Sequence, residues 1–160
     1  MKIMTCFNFT PPQPTDTKFM RYALRLAKLA ALCGEVPIGA IVTLDNHIIA
    51  AGYNQPCRTN DATAHAEIIA LRRAATKLQN YRLPRVTLFT TLEPCIMCYG
   101  ALFNFRVERV VFGTFDERYQ TTSSLLAANF NHQLALTSGI LAVECRALLQ
   151  DFFRQRRKQH

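Results

Sequence analysis

Residues 86–113 read VTLFTTLEPCIMCYGALFNFRVERVVFG, and they set the architecture. Residues 86–91 (VTLFTT) and 107–113 (VERVVFG) are rich in β-branched and aromatic side chains, which is strand composition. Between them Pro94 suits the first turn of a helix that the sequence supports to about Phe105. The flanks continue the alternation. Upstream, residues 37–44 (PIGAIVTL) and 47–53 (HIIAAGY) are two strand-like runs separated by Asp45-Asn46, a two-residue hairpin turn. Asp16 or Thr17 can cap a helix in which Phe19, Ala23, Leu26, Ala27 and Ala30 recur at helical spacing until Gly34 stops it. A polar loop, NQPCRTND, precedes a helix from about Ala64 to Gln79. Downstream, residues 114–133 read as a longer loop with some helical character. Residues 134–138 (LALTS) make a short fifth strand closed by Gly139, and 140–157 a last amphipathic helix. Strands alternating with helices argue for an α/β, three-layer fold: one mixed five-stranded sheet with helices on both faces.

Length and composition agree with that architecture. A chain of 160 residues fits one domain, expected over residues 16–158 after an irregular, proline-rich leader at 1–15. With 49% hydrophobic and 19% charged residues the chain is neither disordered nor collagen-like, and it has no apolar run near the ~20 residues that span a bilayer. The net charge of +8 is spread evenly: each half of the chain carries +4, so the excess is not a detachable basic arm. A polyanionic partner suits such a balance. The densest basic knot is Arg154, Arg156, Arg157 and Lys158, behind Phe152 and Phe153; its plainer reading is a solvated helix end, where cations also suit the dipole.

Six cysteines could form three disulfides. The first 17 residues lack a continuous apolar segment of the secretory type, however, so a reducing, cytoplasmic setting is expected. There, closely spaced cysteines more often hold metal. Cys33, Cys57 and Cys145 stand alone and read as small, buried or half-buried hydrophobes.

The chemistry is concentrated in TAHAEI (63–68) and LEPCIMC (92–98). Cys95 and Cys98 are three apart, so one helix turn points both sulfurs the same way, and a helix N-terminus favours their thiolate forms. His65, at the start of the other helix, offers an imidazole. Two sulfurs and one nitrogen make three protein ligands for zinc and leave the fourth position open, which marks a catalytic rather than a structural site. Glu67 supplies the carboxylate that takes a proton from water and passes it to a leaving amine. Two residues apart in a helix point to different sides, but in the first turn both side chains can reach past the helix end. Singly these signals are weak: His65 alone reads as a core or surface histidine, Glu67 as an exposed helix residue. Together, H-x-E at one helix start and P-C-x-x-C at another form the zinc-deaminase signature.

Over residues 17–158 the chain resembles the bacterial tRNA-specific adenosine deaminases of the cytidine/deoxycytidylate deaminase superfamily. The matching stretches are EVPIGAIV, GYN, DATAHAEIIALR, QNYRL, TLEPCIMCYGA, RVVFG, GILAVECRALL and DFFRQRR. The resemblance implies a cytidine-deaminase-like fold and a homodimer with one zinc ion per subunit. The implied reaction is hydrolytic conversion of adenosine to inosine at the wobble position of a tRNA anticodon, with an arginine tRNA expected. It further implies that His65, Cys95 and Cys98 hold the zinc and that Glu67 carries the proton. Asn54 would hydrogen-bond the flipped base and Val36 line its pocket; Asp116, Phe152, Phe153, Arg154 and Arg156 would meet the anticodon stem-loop. Aromatic stacking and arginine–phosphate pairing are how such loops are held. Residues 117–124, ERYQTTSS, lack the glycines of the relatives, so 117–131 is expected to follow its own path.

Two other readings share much of this. A deaminase of free guanine, cytosine or their nucleosides would use the same four motif residues, but it does not require the FFRQRR end or the basic balance. An RNA-binding module with a structural zinc would need a fourth ligand; Cys57, His47 and His132 are available, but none stands at a ligand-like spacing from the motif.

Overall fold

A computed structural model of the chain describes residues 6–126, 128 and 130–158. In chain order the elements are β1 (Phe7–Phe9), α1 (Asp16–Leu32), β2 (Gly39–Leu44), β3 (His47–Tyr53), α2 (Pro56–Thr59) and α3 (Ala66–Leu78). They continue with β4 (Thr87–Leu92), α4 (Ile96–Asn104), β5 (Arg109–Thr114), α5 (Thr121–Leu125), β6 (Leu134–Ser138) and α6 (Ala142–Lys158). One mixed sheet runs β1-β6-β5-β4-β2-β3. The β2–β3 hairpin turns on Asp45 and Asn46, both in the left-handed region (φ 48° and 61°), as a right-twisted hairpin requires. β2 lies antiparallel to β4, while β4, β5, β6 and β1 are parallel.

The period-2 alternation of the central strands feeds two cores. Val42, Leu88, Val110 and Leu136 meet Ala70, Leu71 and Ala74 of α3 and Leu102 and Phe103 of α4. Ile41, Phe89 and Val111 face the other way, onto Phe19, Met20 and Ala23 of α1 and Cys145 of α6. This is the expected α/β sandwich of helix, sheet and helix. Among the described residues no helix is long and apolar enough to cross a membrane.

Among the described residues the sheet has six strands rather than five. The extra one comes from the stretch expected to be an irregular leader: β1 pairs in parallel with β6, Phe7 opposite Leu134 and Phe9 opposite Leu136. Burial drives it. Phe7 is 2% exposed and packs edge-on against Tyr99 (centroids 5.2 Å apart) and beside Phe103. Just behind β1, Asp16 forms a buried two-pronged pair with Arg109 at 2.8 and 2.7 Å and also accepts the Gln13 N–H. Residues 1–5 lie outside the described residues. A smaller correction concerns Pro94, which stands one residue before the cap Cys95 and so lies outside the helix rather than in its first turn.

Candidate active site

Two helix starts face each other at the same end of the sheet. α3 begins after β3 and the short α2, with His65 as its cap in extended conformation. α4 begins directly after β4, with Cys95 as its cap. A glycine makes the closeness possible: a Cβ on Gly52 of β3 would stand 2.6 Å from the Ala66 carbonyl oxygen and 2.9 Å from the Ala70 nitrogen. The bare backbone therefore lets α3 lie directly on the strand.

His65 Nδ1 is 3.6 Å from Cys95 Sγ and 3.6 Å from Cys98 Sγ. Among the described residues these three form the group able to hold a metal ion, with donor atoms within 4.8 Å of one another. Cys57 and His47 are exposed, and His132 Nε2 is 2.7 Å from the Val107 carbonyl oxygen, so none of the three joins the cluster. A hydrogen bond from the Cys98 thiol holds the Cys95 thiol down to about 4, and donating that bond pushes Cys98 up. His65 is raised, chiefly by its bond to Cys95.

Glu67, in the first turn of α3, is 3% exposed, and its Oε2 has no hydrogen-bond partner among the described residues. Burial pushes its carboxyl up to about 7. An enclosed carboxylate oxygen without a partner is costly unless something else binds there. Asn54, just past β3 and 5% exposed, uses its side-chain oxygen to accept the Ala66 N–H at 2.9 Å. That bond fixes the amide's orientation and turns its NH₂ donors away from the helix. Val36 is half-buried beside Glu35.

Three of the five remaining predicted residues border a neighbouring open cleft of about 750 Å³, beyond the ends of β4 and β5. Asp116, Phe153 and Arg154 line it, and so do Arg157 of the basic knot and Arg118 and Arg146, which the sequence reading did not single out. Phe152 and Arg156 do not. They pair with each other one helix turn apart, the guanidinium 5.4 Å from the ring centroid. The carboxylate of Asp116 is already engaged, accepting from the backbone and guanidinium of Arg118.

Two buried glutamates also escaped the sequence reading. Glu35 accepts the N–H groups of Cys57 and Arg58 at the start of α2. Glu93, between β4 and Cys95, accepts the N–H groups of Asp116 (3.0 Å) and Thr122 (2.7 Å). Both act on backbone amides, which leave no side-chain signature. The only textual hint is an acidic residue one or two positions before a proline, in EVP and EP.

Known proteins share this fold. The family model of MafB19-like deaminases matches residues 15–157. A tRNA-specific adenosine deaminase of Haemophilus influenzae is 48% identical over 151 residues, covering 90% of this chain and 86% of its own. A solved structure from a study of A-to-I editing by tRNA:A34 deaminases at the wobble position of transfer RNA superposes with a TM-score of 0.79. It is 36% identical and covers 83% of this chain and 99% of its own. A guanine deaminase from Nitrosomonas europaea superposes at 0.73 with 26% identity, covering 88% and 84%. Sequence identity is thus higher toward the tRNA enzymes than toward this purine-base enzyme. The chain belongs to the tRNA-specific adenosine deaminase family.

Proposed function

We propose that this deaminase converts adenosine to inosine at the wobble position of a tRNA anticodon, an arginine tRNA being the expected substrate. In this reading it is a zinc-dependent hydrolase. The observation that carries the reading is the enclosed Glu67 Oε2, unpartnered among the described residues, beside a cluster to which those residues bring three donors and no fourth. The donor set fits zinc. Tetrahedral bonds of ordinary length place a nitrogen and a sulfur about 3.6 Å apart, and His65 stands 3.6 Å from each sulfur. His65, Cys95 and Cys98 would hold the ion, one per subunit. When bound, it supplies the Lewis acidity that makes water a nucleophile near neutral pH.

The chain's own residues do the rest. The adenosine leaves its stack, at a cost of a few kcal/mol that is smaller in an already splayed loop. Asn54, its oxygen tied to Ala66, presents NH₂ donors to an acceptor on the base, and Val36 closes the pocket wall. Glu67 accepts a proton from the attacking water as oxygen bonds to the amine-bearing ring carbon. It then delivers the proton to the departing nitrogen, so that water and adenosine become inosine and ammonia. Glu67 and the fixed Asn54 amide orient the reactants, and burial keeps bulk water from the carboxylate.

The Arg-lined cleft beside this site supports an RNA substrate over a free base. Phe153 offers a stacking surface, while Arg146, Arg154 and Arg157 offer charge to phosphates. A homodimer, a single domain over 16–158 and a cytoplasmic setting, where tRNA is found, belong to the same reading. The likeness to a guanine deaminase favours a second one, a purine-base enzyme.

Two variants test the ligand and proton roles. Glu67→Gln should keep one zinc per chain while turnover falls about 10²–10⁴-fold, the usual worth of a general acid–base. Cys95→Ser should lose both metal and activity. Full zinc occupancy in Cys95→Ser, or near-normal turnover in Glu67→Gln, would overturn the assignment.

A further inference from the structure

One wall of the RNA cleft is held by side chains that take no part in the chemistry. Residues 116–122 supply Asp116, Glu117 and Arg118 to the cleft. Charge pairing within the segment does not hold it in place: Arg118 pairs with Asp116 inside the same loop, and its guanidinium stacks on the neighbouring Tyr119 (5.2 Å), which is 65% exposed. The anchors come from elsewhere. The Glu93 carboxylate accepts the Asp116 N–H with one oxygen and the Thr122 N–H with the other. The hydroxyls of Tyr99 and Thr122 share a 2.7 Å hydrogen bond. Tyr99 is fully buried, Thr122 and Glu93 are each 3% exposed, and Phe7 of β1 packs against the Tyr99 ring. Tyr99 directly follows Cys98, and Glu93 lies two residues before Cys95. Both anchors are therefore fixed to the segment that carries the sulfur donors.

We propose that Tyr99, Thr122 and Glu93 are positioning residues that lock the 116–122 wall to the metal-bearing helix and so set the geometry of the RNA cleft. The inference rests on the tRNA reading above for its ligand, and on the structure alone for the lock. Its chemistry is specific to hydroxyls. Removing one hydroxyl leaves its buried partner unsatisfied, whereas removing both leaves an apolar contact of nearly the same shape. Stability and positioning therefore respond differently to the double change.

The test uses the zinc-loaded full chain with Tyr99→Phe, Thr122→Val and the pair together. The probe is an anticodon stem-loop RNA with adenosine at the wobble position. Each single variant should weaken stem-loop binding and raise KM about fivefold, the worth of one hydrogen bond, with kcat within twofold and zinc content unchanged. Amide exchange of Asp116 and Thr122 should quicken. In the double variant, midpoint stability should recover toward wild type while binding and exchange stay impaired. Recovery of binding together with stability would reduce the pair to ordinary core packing and overturn the proposal, as would unchanged binding in both single variants. Glu93→Gln, which removes one acceptor at similar volume, gives a separate check on the same two amides. A wild-type protein that forms no inosine would refute the tRNA reading, while exchange and binding would still decide the lock.

Discussion

Gly52→Ala isolates the link between fold and site, because it touches neither donor nor proton carrier. The added methyl would stand 2.6 Å from the Ala66 oxygen, 2.9 Å from the Ala70 nitrogen and 3.1 Å from the Ile69 Cβ. Carbon–carbon contacts settle at 3.5–4.0 Å, so α3 has to retreat by roughly half an ångström. The atoms in the way are mostly helix backbone, which cannot rotate aside. Overpacking of this kind costs about 1–3 kcal/mol, or a fall of roughly 3–10 °C in Tm for a chain of this size. The retreat carries His65 and Glu67 away from Cys95 and Cys98, which ride on α4. A misplacement of 1 Å can cost about 100-fold in rate, so half of that predicts a kcat loss near tenfold with weaker zinc retention. Gly100→Ala is the control: the new Cβ meets nothing within 4 Å, and alanine in a helix should stabilise by about 0.5–1 kcal/mol. Thermal unfolding, zinc competition with a chelator and single-turnover rates would be measured on both. A Gly52→Ala protein with wild-type stability and zinc retention would refute the close-approach argument.

Three further outcomes follow from particular contacts. Phe7→Ala should cost about 3–5 kcal/mol by denaturant unfolding, since it removes a buried ring from the Tyr99 and Phe103 contacts; a loss under 1 kcal/mol would mean that β1 does not dock. Asp16→Asn leaves Arg109 buried beside a neutral partner, and breaking such a pair should cost about 3–5 kcal/mol, read from the same unfolding curves. Arg157→Ala should weaken stem-loop binding and lower the salt slope by about 0.7, whereas Arg156→Ala, whose guanidinium lies against Phe152 away from the cleft, should change the slope less. Equal slopes for the two variants would return the whole terminal helix to non-specific charge.

What was legible in the sequence was what short spacing encodes. The Asp45-Asn46 turn and the strand–helix–strand unit around Pro94 depend on local order, whereas the approach of His65 to Cys95 and Cys98, 30 and 33 residues away, was legible only from the combined H-x-E and P-C-x-x-C signature. β1 was not legible, because three residues carry no periodicity and their partners, Leu134–Leu136, lie at the far end of the chain. Glu35 and Glu93 bind backbone amides, so no partner residue type announces them. The division of the terminal helix was legible in principle. Arg146, Gln150, Phe153, Arg154 and Arg157 follow helical spacing and share the cleft face, while Phe152 and Arg156 repeat on another. What the sequence lacked was the phase of that helix relative to the sheet.

The most direct test of the central claim is position-resolved inosine mapping on an arginine tRNA transcript treated with purified, zinc-loaded protein, beside free adenosine, cytidine and guanine. The account predicts inosine at the wobble position, stoichiometric ammonia and no comparable turnover of the three small molecules. Ammonia released from guanine or another free substrate, with the tRNA left unchanged, would contradict it.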